Sequence, residues 1–510
     1  MTSFASNRVH RVLVWLVTAV VLATAVELLF GPTRSLALTG DSYQWIQFAH
    51  AAAHRPVLLL TDLDTFLRPS TTWSLALDRA VWGGFDARGF RFSSLVLHAL
   101  AALALAAAGR RLGLGSVAAS VVAFLWMTSP LTDESVFVVA YRFQPLLLLS
   151  WLVLIMAWPG FGQDWSRRRL AVAVLAVVAA AAAKETWVVT PALVLALELD
   201  RGRPWRRALR AVGLVTIPVV AYVVAYFLAF PSDKTYYVLG GHVLARIPSQ
   251  LAAFLYLDEP MPFELRLTWP GVLATVAVAA AVFACARWRV RGIWVALALL
   301  LLPTVPTLMV PYMPQRYLAI PYAGFLLLVG LWVSAVVQRV RRWRALIRVV
   351  AALVTVLVAA AGVALVRADL VDYRAIADAH ATLIEEAAAV APLVAAGGPV
   401  VVVRDDRLHL LVEILRDPAG LPKLAYTRHD DPAGLIDASA LFEWVIADEG
   451  TAVNDVADWQ ETCAGVAGRV LVHGPAGFED LGPVPDVAEE ASRWQEARRR
   501  LRVIQAVSLD

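Results

Sequence analysis

Eleven long or moderately long apolar runs, all within the first 366 residues, limit what this chain can fold into. They lie at about 12–30, 92–109, 114–129, 136–158, 170–183, 186–199, 210–230, 270–286, 292–312, 317–338 and 345–366. A helix needs roughly 20 apolar residues to cross a hydrocarbon core about 30 Å thick. Inside that core every backbone N–H and C=O must be satisfied within the protein, so such runs are helices. Composition agrees: 59% of residues are hydrophobic and the mean hydropathy is +0.65, against roughly 45–50% apolar usage in soluble domains. The net charge of +4 is therefore no sign of a nucleic-acid partner. The first run is longer than the roughly 7–15-residue core of a signal peptide and reads as a retained span.

Two of the runs are short, and the stretch between them, "AAAAAKETWVVTP" (179–191), sets Lys184 beside Glu185. A charge at the centre of a bilayer costs about 2.5–3.5 kcal/mol on insertion scales, so this pair belongs at a membrane face or in a site. Arginine placement indicates which face. With the N-terminus (Arg8, Arg11) taken as cytoplasmic, eleven spans put Arg110-Arg111, Arg167 to Arg169, Arg201 to Arg210, Arg287 to Arg291 and Arg339 to Arg348 all on the cytoplasmic side, as the positive-inside rule requires. Dropping one short span reverses every later loop. Lys184-Glu185 then sits at an outward tip.

On this count the chain divides into a membrane module, residues 1–366, with a long first outer loop at 31–91, and an extracytoplasmic tail, residues 367–510. The tail reads as a small α/β domain of about 140 residues. An amphipathic helix is expected over 375–394, ended by Gly397-Gly398-Pro399, with strands at 399–403, 442–448 and 468–474 and a closing helix over 487–505. Cys285 falls in an apolar span and Cys463 in the tail, which predicts no disulfide between them. The arginine bias over only three lysines (184, 234 and 423), with abundant Ala and Val, suggests a GC-rich bacterial genome, and so the bacterial cytoplasmic (inner) membrane.

Residues able to do chemistry collect on the outward side. The first loop carries Asp41 in "TGDSYQW", then His50, His54, Asp62, Asp64 and Arg68-Pro69. "SPLTDESVFVVAYRFQP" (129–145) brings Asp133, Glu134 and Arg142, and "PYMPQRYLAIP" (311–321) brings Arg316 and Tyr317. Ionisable groups at a membrane boundary mark a pathway or a site; carboxylates serve as bases and cations hold phosphate. Each also has a purely structural reading. Asp41 could be a loop residue, Arg68-Pro69 a turn, Asp133-Glu134 helix N-terminal charges, and Arg316 a snorkelling anchor. His50 and His54 lack the spacing of metal ligands. "HVLARIPSQLAAFLYL" (242–257) is amphipathic, suited either to guiding a lipid tail at the outer interface or to an ordinary loop helix.

Taken in order, these motifs resemble the polytopic GT-C glycosyltransferases, nearest to the protein O-mannosyltransferase-like branch that includes members with tetratricopeptide tails. The likeness runs from an acidic residue soon after the first span, through the Arg-Pro stretch before "LALDRAVWGGFDARGFRFSSLVLHAL" (75–100), to Pro130, Leu131, Glu134, Val136 and Arg142. It continues with Lys184, Glu185 and Pro191 and ends on Arg316, Tyr317, Leu318 and Pro321, over roughly 300 residues. The chain departs in having Gly40 and Ser42 around Asp41, where the family often has two neighbouring acids, and in showing no tetratricopeptide period in the tail.

The resemblance implies a polytopic α-helical membrane protein of about 11 transmembrane helices with GT-C-like architecture. It implies transfer of a sugar, with inversion, from a polyprenyl-phosphate carrier to an extracytoplasmic glycan or protein acceptor. Asp41 would be the general base, Arg142, Lys184 and Arg316 would hold the donor phosphate, and Arg68, Glu134, Glu185, His54 and Tyr317 would support them. Glu134 and Glu185 would orient the cations, with Glu185 as the counter-ion of its neighbour Lys184. No cofactor is required on this reading, and no ligand spacing supports a divalent metal. Mannose and arabinofuranose are natural sugars for such a donor. The rivals are a transporter or flippase of lipid-linked sugars, which should show internal repeats and broken midplane helices, and a catalytically inactive membrane scaffold.

Overall fold

The computed structural model describes residues 2–39, 42–60, 67–83, 86–159, 164–203, 205–229, 240–257, 265, 267–308, 310, 313–395, 400–403, 469–474 and 477–483. Its helices in chain order are α1 (Thr2–Phe30), α2 (Ser42–His54), α3 (Pro69–Trp82), α4 (Ala87–Arg111), α5 (Ser116–Met127), α6 (Glu134–Phe137), α7 (Phe143–Ala157) and α8 (Arg167–Ala183). There follow α9 (Thr190–Asp200), α10 (Trp205–Ala229), α11 (His242–Phe254), α12 (Trp269–Arg287), α13 (Ile293–Leu301), α14 (Ala319–Arg339) and α15 (Arg344–Ala395). Strands β1 (Val400–Val403), β2 (Arg469–Gly474) and β3 (Gly477–Pro483) form a sheet in that order. β1 runs parallel to β2, and β3 antiparallel to it with an irregularity at Val470/Leu471.

Every apolar run has a helix within it, but length and composition together qualify six among the described residues: Leu13–Ser35, Ala87–Arg111, Val139–Ala157, Trp269–Arg287, Ala319–Arg339 and Arg344–Asp378. The protein is thus a multi-pass membrane protein. The expected eleven spans exceed what length alone establishes, because α5, α8, α9, α10 and α13 are shorter, or apolar over a shorter stretch, than a free-standing span requires. The expected break between a last span and a separate tail helix is absent, and α15 is one helix of 52 residues. The reason is local: from Val363 to Ala391 no Gly or Pro interrupts a run of good helix formers. The expected strands at 399–403 and 468–474 coincide with β1 and β2. Those expected at 442–448, and the helix at 487–505, lie outside the described residues.

Two compact units are present. One comprises Met1–Ser35, Val57–Ser74 and Ala87–Tyr373; the other comprises Leu36–Pro56, Leu75–Asp86 and Arg374–Asp510. The division falls inside α15 rather than at residue 366, and it places two stretches of the first loop with the tail.

Within the first unit the helices pack through small residues, as expected where lipid removes the hydrophobic drive for association. In α8, which packs on α7, Ala173, Ala176, Ala180 and Ala183 are buried while Leu170, Val174, Leu175 and Val178 face outward. This stripe, spaced three and four residues apart, brings α8 close to α7 and delivers Lys184 at its end. Ser166 caps the opposite end, accepting from the Arg169 N–H at 3.2 Å. At the α13–α14 contact, Gly324 lies against the backbone of the facing helix. A Cβ there would meet the Leu300 nitrogen, the Leu299 carbonyl carbon at 2.6 Å and the Ala296 oxygen at 2.8 Å.

Because those neighbours are backbone and cannot rotate away, Gly324→Ala is expected to destabilise by about 1–3 kcal/mol, the usual range for overpacking. The thermal unfolding midpoint of the purified protein should fall, whereas Gly213→Ala, which meets nothing within 4 Å, should leave it unchanged or raise it.

Candidate functional site

The turns that begin or end α6, α7, α8, α9 and α14 converge around one ammonium group. Lys184 closes α8 in extended conformation, and Glu185 opens the short 3₁₀ turn (Glu185–Val189) into α9, where Pro191 is tolerated in the first turn. Lys184 is 4% exposed. Its Nζ lies 4.9 Å from the ring centroid of Phe143 and 4.7 Å from that of Tyr317, within cation–π range. Among the described residues it makes no hydrogen bond or ion pair.

The neighbouring charges are tied in two pairs. Arg68 grips Glu185 bidentately, Nε to Oε2 at 3.1 Å and Nη2 to Oε1 at 2.9 Å, with its guanidinium 3.9 Å from the Phe143 centroid. Arg316 binds Glu134 through both its backbone N–H and Nη1, each at 2.6 Å, and lies 4.5 Å from the Tyr141 ring. These are short charge-assisted bonds of the strong kind. Glu185 makes its hydrogen bonds to Arg68, and it acts on Lys184 through its charge rather than through an ion-pair contact. Arg68, which Glu185 binds, lies 117 positions away in sequence.

Burial is the main influence on Lys184. It pushes the ammonium pKa down to about 7, with Glu185 and Glu134 raising it and Arg68 and Arg316 lowering it further. Burial also works against the Glu185 carboxylate, but Arg68 and Lys184 outweigh it and hold its pKa below the usual value. Asp133, fully buried at the turn before α6, is pushed well up, first by burial and then by Asp369 and Glu134.

Arg142, one residue before Phe143, is 1% exposed. Its guanidinium donates to the Val139 and Phe90 carbonyls, both at 3.1 Å, and to Ser94 Oγ at 3.2 Å. It stitches α4 to the start of α7. Of the residues expected to act, Lys184, Glu185, Arg68, Glu134, Arg316 and Tyr317 come together. His54 belongs to the second unit, exposed at the end of an otherwise largely buried α2 and edge-on to His50 at 4.7 Å. Asp41, Asp62 and Asp64 lie outside the described residues. Among the described residues, no group of three or more His, Cys, Asp or Glu side chains could hold a metal ion. Cys285 is a buried free thiol, and Cys463 lies outside the described residues.

Sequence reading missed Phe143 and Tyr141, which supply ring faces to the cations; the signal was the "YRF" triplet itself. It also missed Arg246 on α11, 1% exposed, which donates to the Val310 carbonyl at 3.3 Å and Thr307 Oγ1 at 2.9 Å. Burial brings its pKa down to about 10 and Tyr317 counteracts this, so α11 contributes charge beside Tyr317.

No protein-family model matches the sequence, and neither does any curated protein. Among solved structures, the chain is similar to ArnT from Cupriavidus metallidurans bound to undecaprenyl phosphate, at 15% identity and a TM-score of 0.51, over 91% of this chain and 93% of that one. The apo state of the same protein matches at 16% identity and a TM-score of 0.50, with the same coverage. At this identity the likeness is one of fold, over 91% of this chain.

The two kinds of charge in the site should respond oppositely to removal. Glu185→Gln leaves Arg68 buried without its carboxylate. A stability loss of about 2 kcal/mol is expected, below the roughly 3–5 of a fully enclosed pair because Glu185 is one-third exposed. Lys184→Met should hold or raise the unfolding midpoint. The folded pKa of Lys184 lies below its unfolded value, so its penalty is fully present below about pH 7 and fades as the pH rises toward 10.5. The gain on replacing it should follow that course, read from unfolding midpoints across pH.

Proposed function

We propose that the protein is an inverting GT-C glycosyltransferase that moves a sugar from a polyprenyl-phosphate carrier to an extracytoplasmic glycan or protein acceptor. The observation that carries the reading is the buried Lys184 ammonium between Phe143 and Tyr317, without an ion pair among the described residues and flanked by the Arg68–Glu185 and Arg316–Glu134 pairs. An uncompensated buried cation is costly, and an anionic ligand removes that cost. The fold shared with an ArnT bound to undecaprenyl phosphate supports a lipid-phosphate donor.

The charge arithmetic fits such a donor. Among Lys184, Arg68, Glu185, Arg316 and Glu134, each arginine is balanced by its glutamate, which leaves one positive charge, and a phosphodiester carries one negative charge. Lys184 meets it as a point charge, while Arg316 presents a fixed fork beside it. Asp41 is the proposed base. As the acceptor oxygen bonds to the anomeric carbon, its proton passes to Asp41, and the electron pair of the breaking carbon–oxygen bond stays on the carrier phosphate. That leaving group is a stable anion and needs no acid. Arg142 frames the site from behind rather than touching phosphate. Tyr317 and Phe143 keep the ammonium desolvated until the donor arrives. The protein O-mannosyltransferase-like branch, with mannose or arabinofuranose as the sugar, is the finer assignment. It comes with an inner-membrane location, eleven spans, and an extracytoplasmic site and α/β tail.

Transfer from radiolabelled polyprenyl-phosphate sugars to envelope-derived acceptors tests the reading. Asp41→Asn should lose about 10²–10⁴-fold in turnover, the contribution of a positioned base, while retaining donor binding; undiminished transfer would remove Asp41 from the mechanism, and a protein that transfers nothing from any donor would point to a carrier or scaffold.

The pH dependence of donor binding is a separate check. Lys184 is protonated below about pH 7 and neutral above it. Affinity for the carrier phosphate should therefore fall by up to about tenfold per pH unit above that point. Lys184→Arg, which stays charged, should flatten the profile, and a profile identical in both proteins would show that Lys184 does not meet the phosphate.

A further inference from the structure

The helices that begin at the Lys184 cluster end at a second, unrelated charged cavity. α7 starts at Phe143 and ends before Trp158; α9 follows the Lys184 turn and ends at Asp200. At about 1.5 Å per residue, their far ends lie roughly 16–22 Å away along the helix axes. There a cavity of about 120 Å³ is lined by Arg111, Arg201, Arg291, Asp200 and Trp158, with Leu112, Ile155 and Leu197 among its apolar walls. One water needs only about 10–15 Å³ measured in this way, so a phosphate-sized group fits.

The site is built rather than incidental. Glu198, fully buried, accepts from Arg201 Nη1 at 2.8 Å and from Trp158 Nε1 at 2.7 Å, and lies 3.5 Å from Arg203 Nε. This fixes the 6%-exposed Arg201 in the floor. Arg111, at the end of α4, donates to the Trp158 carbonyl at 2.7 Å. Asp200 accepts from the Gly292 N–H, at a position whose φ of 82° favours glycine, and so draws the Arg291 loop to the mouth. Three guanidinium groups thus face one lining carboxylate, Asp200. Arginines that merely anchored the helix ends in a headgroup layer would have no need of a buried carboxylate to orient them.

We propose that this cavity binds a phosphate group, at the membrane face opposite the Lys184 site, held by Arg111, Arg201 and Arg291. Apolar walls and a tryptophan beside the arginines suit the phosphate of an anionic phospholipid headgroup; free phosphate shares the chemistry.

The test uses the full chain. Native mass spectrometry and thermal midpoints would be recorded after reconstitution in phosphatidylcholine alone or with phosphatidylglycerol, and in detergent with inorganic phosphate. Wild type should retain phosphatidylglycerol and gain thermal stability. Arg111→Gln/Arg291→Gln, both exposed at the mouth, should bind about tenfold more weakly or worse, given the strength of charge-assisted bonds. Arg206→Gln/Arg210→Gln, outside the cavity, should match wild type. Asp200→Asn should bind more tightly, because it removes the opposing charge while keeping an acceptor for Gly292. Stabilisation by inorganic phosphate alone, lost in the mouth variant, would support the site with free phosphate as its source. Equal binding by wild type, the mouth variant and Asp200→Asn would overturn the proposal.

Discussion

The arrangement of the first unit's charged turns follows from one constraint: a buried ammonium with no ion pair among the described residues has to be held without its hydration shell. Lys184 meets it with two ring faces and the fields of two ion pairs. Each pair satisfies itself, which lets the turns carrying Arg68, Glu134, Glu185 and Arg316 approach without mutual repulsion. Removing either carboxylate would bring two cations together in a desolvated space, where charge interactions are several times stronger than in water. The pairs therefore fix the positions of α6, α7, α9 and the start of α14 around the Lys184 ammonium.

That point exists because of how the helices end. The alanine stripe of α8 permits close packing on α7, so the extended residue after Ala183 emerges inside the bundle rather than in solvent. Arg142 holds the start of α7 to α4 through backbone carbonyls, and this sets Phe143 beneath both Lys184 and Arg68. A scaffold made only for stability would more readily place an apolar side chain where Lys184 stands, since isosteric apolar replacements of buried charge are often neutral or stabilising.

Much of this was legible in the sequence, and the limits have physical causes. Apolar runs located the helices because hydrophobicity is a local property, and charges stranded between them located the site because membranes make such charges expensive. Pairing was not local. Glu185 looked like the counter-ion of Lys184 by adjacency, whereas only the fold could bring Arg68 to it. The hydrogen bonds of Arg142 to the Val139 and Phe90 carbonyls were equally hidden, since partners 3 and 52 positions away are set by the fold and not by residue type. Span number was hard to read for a related reason: a helix flanked by other helices can be shorter than a free-standing span, so length ceases to decide. The continuity of α15 was hidden by a change in hydropathy, which marks a change of environment and not a helix end.

On the proposed reading the same charge balance bears on turnover. The donor phosphodiester carries one negative charge, but transfer turns the carrier into a phosphate monoester, whose second ionisation lies near pH 6. At neutral pH the product therefore exceeds the site's single net positive charge. Lys184, already protonated to meet the donor, offsets one of the two charges and leaves the other uncompensated. The excess charge then favours exchange of product for a fresh, singly charged donor. A site whose cations were all permanently charged and unpaired would hold the monoester more tightly than the substrate, and release would limit the rate. Tying both arginines to glutamates while leaving one titratable lysine avoids that outcome, which gives a physical reason for a Lys-Glu step between two apolar helices.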